Sequence, residues 1–196
     1  MGEAYIAVKA MFDDLGIESI IPPYSTESTL KLGAKESPEG ICLPFKIMLG
    51  NYVKSIENGA DTIVITGSCG PCRFGYYGPL QKIILQDMGY DVDMIILDPP
   101  KEGIRKFINN IRRLSGKVGF KKAYQIFKDA YKICEKIDEL NQVQYFVRPR
   151  TKDKAKVNSI MHDFKSQILN VKGSKEIGNL IDETKEKLLS LDIDMD

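Results

Sequence analysis

Two short stretches, Asp61–Thr66 and Val92–Leu97, are apolar without the alternation of a half-buried strand. Strands of that kind need cover on both faces, a condition met in parallel sheets flanked by helices. Between them a helix is predicted from Pro79, with Leu80, Ile83, Ile84 and Met88 inward and Gly89 as its stop. After the break at Asp98-Pro99-Pro100, a second helix is predicted from Ile104, Phe107, Ile108, Ile111 and Leu114, stopped by Gly116. Strand, helix, strand, helix in this order predicts an α/β fold: a doubly wound, Rossmann-like, mostly parallel sheet.

Upstream, Ala4, Ala7, Met11, Phe12 and Leu15 have helical spacing, and Gly16 closes that helix. Ile17–Ile21 reads as a short strand ended by Pro22-Pro23. A further helix is predicted from Pro44, with Phe45, Met48, Leu49, Tyr52, Val53 and Ile56 on one face, so Cys42 stands just ahead of a helix N-terminus. Beyond Gly119 the pattern changes to helices near 119–140, 151–171 and 175–191, with at most one strand at Val143–Val147. The expected organisation is an α/β domain over 1–116 and a helical extension or interdomain layer over 117–196.

The overall chemistry narrows the function classes. Twenty-eight basic side chains balance 27 acidic ones to a formal charge of +1, so no global field favours nucleic acid or an anionic membrane. No apolar run is long enough for a bilayer, and residues 1–20 lack the order of a signal peptide, which predicts a cytoplasmic protein. Four cysteines are too few for a secreted disulfide scaffold, whereas a C-x-x-C in a cytosolic chain points to metal or redox chemistry. The single histidine, His162, argues against a zinc enzyme built on several imidazoles and against a Ser-His-Asp hydrolase.

That C-x-x-C is Cys69-Gly70-Pro71-Cys72, placed after the first buried strand. As a dithiol, Cys69 would be the exposed nucleophile and Cys72 the resolving thiol, which makes a thiol-disulfide oxidoreductase one reading. Against it, Ser68 stands where a thioredoxin has tryptophan, and Gly75, Gly78 and Pro79 predict that the following helix is delayed to Pro79. The other reading adds Cys42. The carboxyl edge of a parallel sheet is where ligands of open α/β folds gather, and three thiolates meeting there would suit an iron-sulfur cluster. Gly67, Gly70, Gly75 and Gly78 give a loop able to approach a bulky group, and Arg73 adds a positive charge.

The stretch "ESPEGICLPFKIMLGNYVKSIENGADTIVITGSCGPCRFGYYG" resembles the 2-hydroxyacyl-CoA dehydratase group, in particular the activase-related proteins that share its iron-sulfur subunit fold. The likeness rests on the Cys-Leu-Pro-Phe-Lys element at 42–46 and the Gly-Pro-Cys-Arg-Phe-Gly-Tyr-Tyr-Gly element at 70–78, and runs more weakly over about 4–115. It implies a [4Fe–4S] cluster, in some members part of a double-cubane cluster, that passes single electrons at low potential. Cys42 and Cys72 carry over first, and Cys69 with them. The implied partners are an actin-like-fold ATPase activator and a second subunit or second α/β domain. The implied task is ATP-driven reduction or dehydration of an acyl-CoA-type substrate. This chain has no P-loop, so ATP hydrolysis would belong to the partner. The resemblance also implies a strand before the helix at 4–15.

Arg73, Tyr76 and Tyr77 are the remaining candidates for cofactor contact, the tyrosines as a wall beside the cluster or as plain loop packing. Cys134 is expected to pack on a helix face with Phe127, Tyr131 and Ile137, and His162 to lie on the surface. A third functional reading is a non-catalytic scaffold that docks an ATPase through its helical tail.

Overall fold

The strand–helix–strand unit at the centre of the sequence is present. In this computed structural model, which describes residues 3–22, 24–67, 72–97, 112–113, 116 and 118–193, β1 (Thr62–Thr66) and β2 (Asp93–Leu97) run parallel. Thr62 stands opposite Asp93 and Thr66 opposite Leu97. In chain order the helices are α1 (Tyr5–Leu15), α2 (Glu27–Glu36), α3 (Leu43–Glu57), α4 (Tyr77–Asp87), α5 (Phe120–Arg150), α6 (Lys154–Gln167) and α7 (Gly173–Leu189), with a 3-10 turn at Arg73–Tyr76.

The doubly wound, Rossmann-like sheet is therefore not what forms. Among the described residues the sheet has two strands and the protein is mainly helical. Two expected strands fail for separate reasons. Among the described residues Ile17–Ile21 has no strand beside it to pair with. Val143–Val147 continues α5, because Ile133, Ile137, Leu140 and Val147 form one buried helical stripe whose period overrides the local alternation. The Cys69 loop, the Asp98–Pro100 break and all but Arg112 and Arg113 of the helix expected over 104–114 lie outside the described residues. Gly116 does take a left-handed conformation (φ 59°), its N–H donating to the Arg112 carbonyl.

The chain divides into two compact units, one of Met1–Ser19 with Lys117–Asp196 and the other of Ile20–Gly116. The first helix, expected within an α/β domain over 1–116, thus packs in the helical unit.

In the α/β unit, Phe45, Leu49 and Val53 of α3, Ile63 and Ile65 of β1, Tyr77 and Leu85 of α4, and Val92 and Met94 share one core. Gly78 lets the start of α4 descend onto the strands: a Cβ there would meet Ile96 Cδ1 at 2.9 Å and Ile65 Cγ2 at 3.3 Å. The α2–α3 crossing is closer still, since a Cβ on Gly33 would lie 1.8 Å from the Lys46 carbonyl oxygen and one on Gly50 1.9 Å from that of Thr29. Helix α2, absent from the sequence expectations, starts at a reciprocal cap between Thr26 and Thr29.

In the helical unit, α1, α5, α6 and α7 bury Ile6, Ala10, Leu140, Phe164, Ile177, Ile181 and Leu188 together. The start of α7 is capped from α1: the Gly173 N–H donates to Asp13 Oδ2 at 3.0 Å and the Ser174 N–H to Asp14 Oδ1 at 3.2 Å. Buried Lys9 closes the arrangement, 2.6 Å from both Asp13 Oδ2 and the Val171 carbonyl oxygen.

Candidate functional site

Cys42 and Cys72 occupy equivalent local positions. Cys42 is extended (φ −69°, ψ 151°) and immediately precedes α3, whose early Pro44 has no N–H to leave unsatisfied. Cys72 is extended (φ −73°, ψ 133°) and immediately precedes the 3-10 turn Arg73–Tyr76 that runs into α4. Both thiols are free and exposed, each at the N-terminal, positive end of a helical segment.

Helical geometry therefore begins directly after Cys72. The expectation that Gly75, Gly78 and Pro79 delay it until Pro79 is corrected: Gly75 lies within the 3-10 turn, its N–H reaching the Cys72 carbonyl at 3.4 Å, and Gly78 is needed for close packing on the strands.

Three side chains tie the two cysteine segments together. Tyr77 is 3% exposed, and its hydroxyl hydrogen-bonds the Cys42 sulfur. Its ring stands edge-on to Phe45 at 5.0 Å and tilted against Phe74 at 5.1 Å. Burial, then the Cys42 hydrogen bond and the negative charge that Cys42 and Cys72 can carry, push the Tyr77 phenol up to about 12 against the pull of the Phe45 backbone amide. Arg73 Nη1 donates to the Gly40 carbonyl at 3.3 Å, bridging the 3-10 turn to the loop that leads into Cys42. Fully buried Gln81, one turn beyond Tyr77, donates to the Phe45 carbonyl at 3.3 Å, and its Oε1 has no partner among the described residues.

Of the sequence candidates, Cys42, Cys72, Arg73 and Tyr77 are brought together at this edge, whereas Cys69 lies outside the described residues. The two tyrosines part company: Tyr76 is 77% exposed while its neighbour is in the core. Sequence reasoning missed Gln81 and the anchoring role of Phe45; a glutamine four residues after Tyr77, on the inward face of an apolar helix, was the available signal for the first.

The other two candidates sit in the helical unit. Cys134 is partly buried against that core, and burial, with the nearby charges of Asp138 and Glu135, pushes its thiol up. Its expected neighbours Phe127 and Tyr131 are exposed, since Ile126, Ala130, Ile133 and Ile137 take the inward face. His162 is exposed on α6. The lysines of this unit are interleaved with carboxylates, as in Lys132–Asp129 at 3.2 Å and Lys185–Glu139 at 2.7 Å.

Among the described residues no group of three or more histidine, cysteine or acidic side chains is placed to hold a metal ion. Two soft sulfur donors are in place, and a complete ligand set would need Cys69 or a group from elsewhere. No helix among the described residues is long and apolar enough to cross a membrane. Compared with known proteins, the chain matches no family model, no curated protein and no solved structure.

Proposed function

We propose that the edge formed by Cys42 and Cys72 holds a [4Fe–4S] cluster, or one half of a double-cubane cluster, and that the protein works in low-potential electron transfer. The observation that carries this reading is that two exposed, free thiols begin two helical segments that Tyr77, hydrogen-bonded to the Cys42 sulfur, and Arg73, bonded to the Gly40 carbonyl, tie together. Two soft thiolate donors fit such a group, and Cys69, three residues before Cys72, is the third ligand proposed. The cluster, when bound, supplies single-electron transfer.

The chain's own residues do the rest. The helical N-termini behind Cys42 and Cys72 temper the negative charge of thiolate ligands. Arg73 fastens the Gly40 loop, and Phe45, Tyr77 and Gln81 make the floor that fixes where the Cys42 sulfur emerges. Exposed Tyr76 stands beside this edge and is the residue best placed for a redox partner or substrate to cover. The resemblance described above extends the proposal to a cytoplasmic relative of 2-hydroxyacyl-CoA dehydratases and their activase system. An actin-like-fold ATPase and a second subunit or domain would be its partners, and an acyl-CoA-type compound its substrate. Exposed free thiols suit a reducing compartment.

A thiol-disulfide oxidoreductase is the second reading, favoured by the helical turn that starts directly after Cys72. Anaerobic reconstitution followed by EPR separates the two. The cluster reading expects a dithionite-reduced signal in wild type that Cys42→Ala abolishes. A protein that takes up no iron while Cys69 and Cys72 cycle as a disulfide contradicts it.

A further inference from the structure

Tyr77 and Tyr76 are adjacent in sequence and opposite in environment, and the difference has a chemical consequence. The Tyr76 phenol is in solvent. The Tyr77 ring is gripped by Phe45 and Phe74, so its hydroxyl has little freedom, and that hydroxyl ends on the Cys42 sulfur. Phe45 itself is fixed: its N–H bonds the Cys42 carbonyl at 3.1 Å and its own carbonyl accepts from Gln81. The first turn of α3 is thereby clamped to α4 at two successive turns, by Tyr77 at the cysteine and by Gln81 behind it.

We propose that Tyr77 is a positioning residue whose hydroxyl donates to the Cys42 sulfur, holds it toward Cys72, and tunes the electron density of that ligand. The proposal rests on Cys42 serving as a ligand in the function proposed above. Hydrogen bonds to ligand sulfurs remove electron density and raise the reduction potential of a cluster. A thiolate held in such a bond is also a weaker nucleophile than a free one, whether or not metal is present.

The test uses the full chain and Tyr77→Phe, which keeps the ring between Phe45 and Phe74 and deletes only the oxygen, with Tyr76→Phe as control. In metal-free protein, brief alkylation by iodoacetamide at a pH of about 9.5, above the ordinary thiol range, is followed cysteine by cysteine by mass spectrometry. Cys42 should react about fivefold faster in Tyr77→Phe, the factor one net hydrogen bond is worth, while Cys134 keeps its rate and Tyr76→Phe matches wild type. In reconstituted protein, EPR-monitored titration should show a more negative midpoint potential for Tyr77→Phe. An unchanged Cys42 rate, or an unchanged potential, overturns the proposal. If wild type binds no iron but Cys42 is still released in Tyr77→Phe, positioning stands and the cluster reading fails.

Discussion

The helical unit and the α/β unit use their polar side chains differently. In the helical unit charge closes on charge: Lys9 lies between Asp13 and a carbonyl, Asp13 and Asp14 cap α7, and Lys165 pairs with Glu3 at 2.9 Å. In the α/β unit charges also pair, as in Lys54–Glu57 at 2.7 Å, but around the two cysteines the bonds run to backbone and neutral side chains. Two thiols are exposed, Arg73 holds a backbone carbonyl, and a buried glutamine oxygen lacks a partner among the described residues. Groups that satisfy one another build stability, whereas exposed nucleophiles held by a buried scaffold point to a site. Substitutions in the first unit should therefore change melting and leave the metal uptake proposed for the second unit unchanged.

That contrast can be broken most severely at the helical core. Phe164→Ala should cost about 3–5 kcal/mol, because its ring is fully buried, and urea unfolding would measure the loss. Next comes the α2–α3 crossing. Gly50→Ala drives a methyl into the Thr29 carbonyl and should cost about 2–3 kcal/mol, and a melting temperature like wild type would show that the two helices can separate freely. Removing a cap is milder: Asp14→Ala should lose about 1 kcal/mol by freeing the Ser174 N–H, with no change in iron uptake. Smallest of all, Cys42→Ser and Cys72→Ser should move stability by about 0.5 kcal/mol or less, since both residues are exposed.

Each unit also carries a group whose shifted titration predicts a pH dependence. Burial raises the Tyr52 phenol above its ordinary value of 10.0, so the stability it lends the α/β unit is complete below that value and is lost as pH climbs beyond it. Tyr52→Phe should blunt that alkaline loss in a denaturation series. In the helical unit the Gln125 hydrogen bond, aided by Lys132, holds the partly exposed Asp129 carboxylate below its ordinary value. Its small contribution is present above that value and fades as pH falls through the lowered one.

What the sequence disclosed depended on how local each signal was. The parallel strand pair, the helix between them and the placement of Cys42 before α3 follow from short-range apolar patterns and a proline, and all three are observed. Sheet size is a long-range property. Ile17–Ile21 has strand-like composition, but among the described residues it has no pairing partner, and the expected doubly wound layer reduces there to two strands. Helix α2 escaped because its stability lies in Gly33 meeting Lys46 backbone rather than in a wide apolar stripe. At the site, the C-x-x-C spacing pointed to Cys69 and Cys72, and the predicted helix start at Pro44 together with the family resemblance pointed to Cys42. The separation of Tyr77 from Tyr76 required knowing that a 3-10 turn begins at Arg73, a turn that the glycines around it disguised.

The central claim is that Cys42 and Cys72, far apart in sequence, ligate one cluster. Iron and acid-labile sulfide per chain, measured after anaerobic reconstitution of wild type, Cys42→Ser and Cys72→Ser, tests it most directly. The account predicts about four iron and four sulfide in wild type, and a stoichiometric fall in each variant while helical content is kept. Wild type without iron, or a Cys42→Ser protein that retains the full complement, would contradict it.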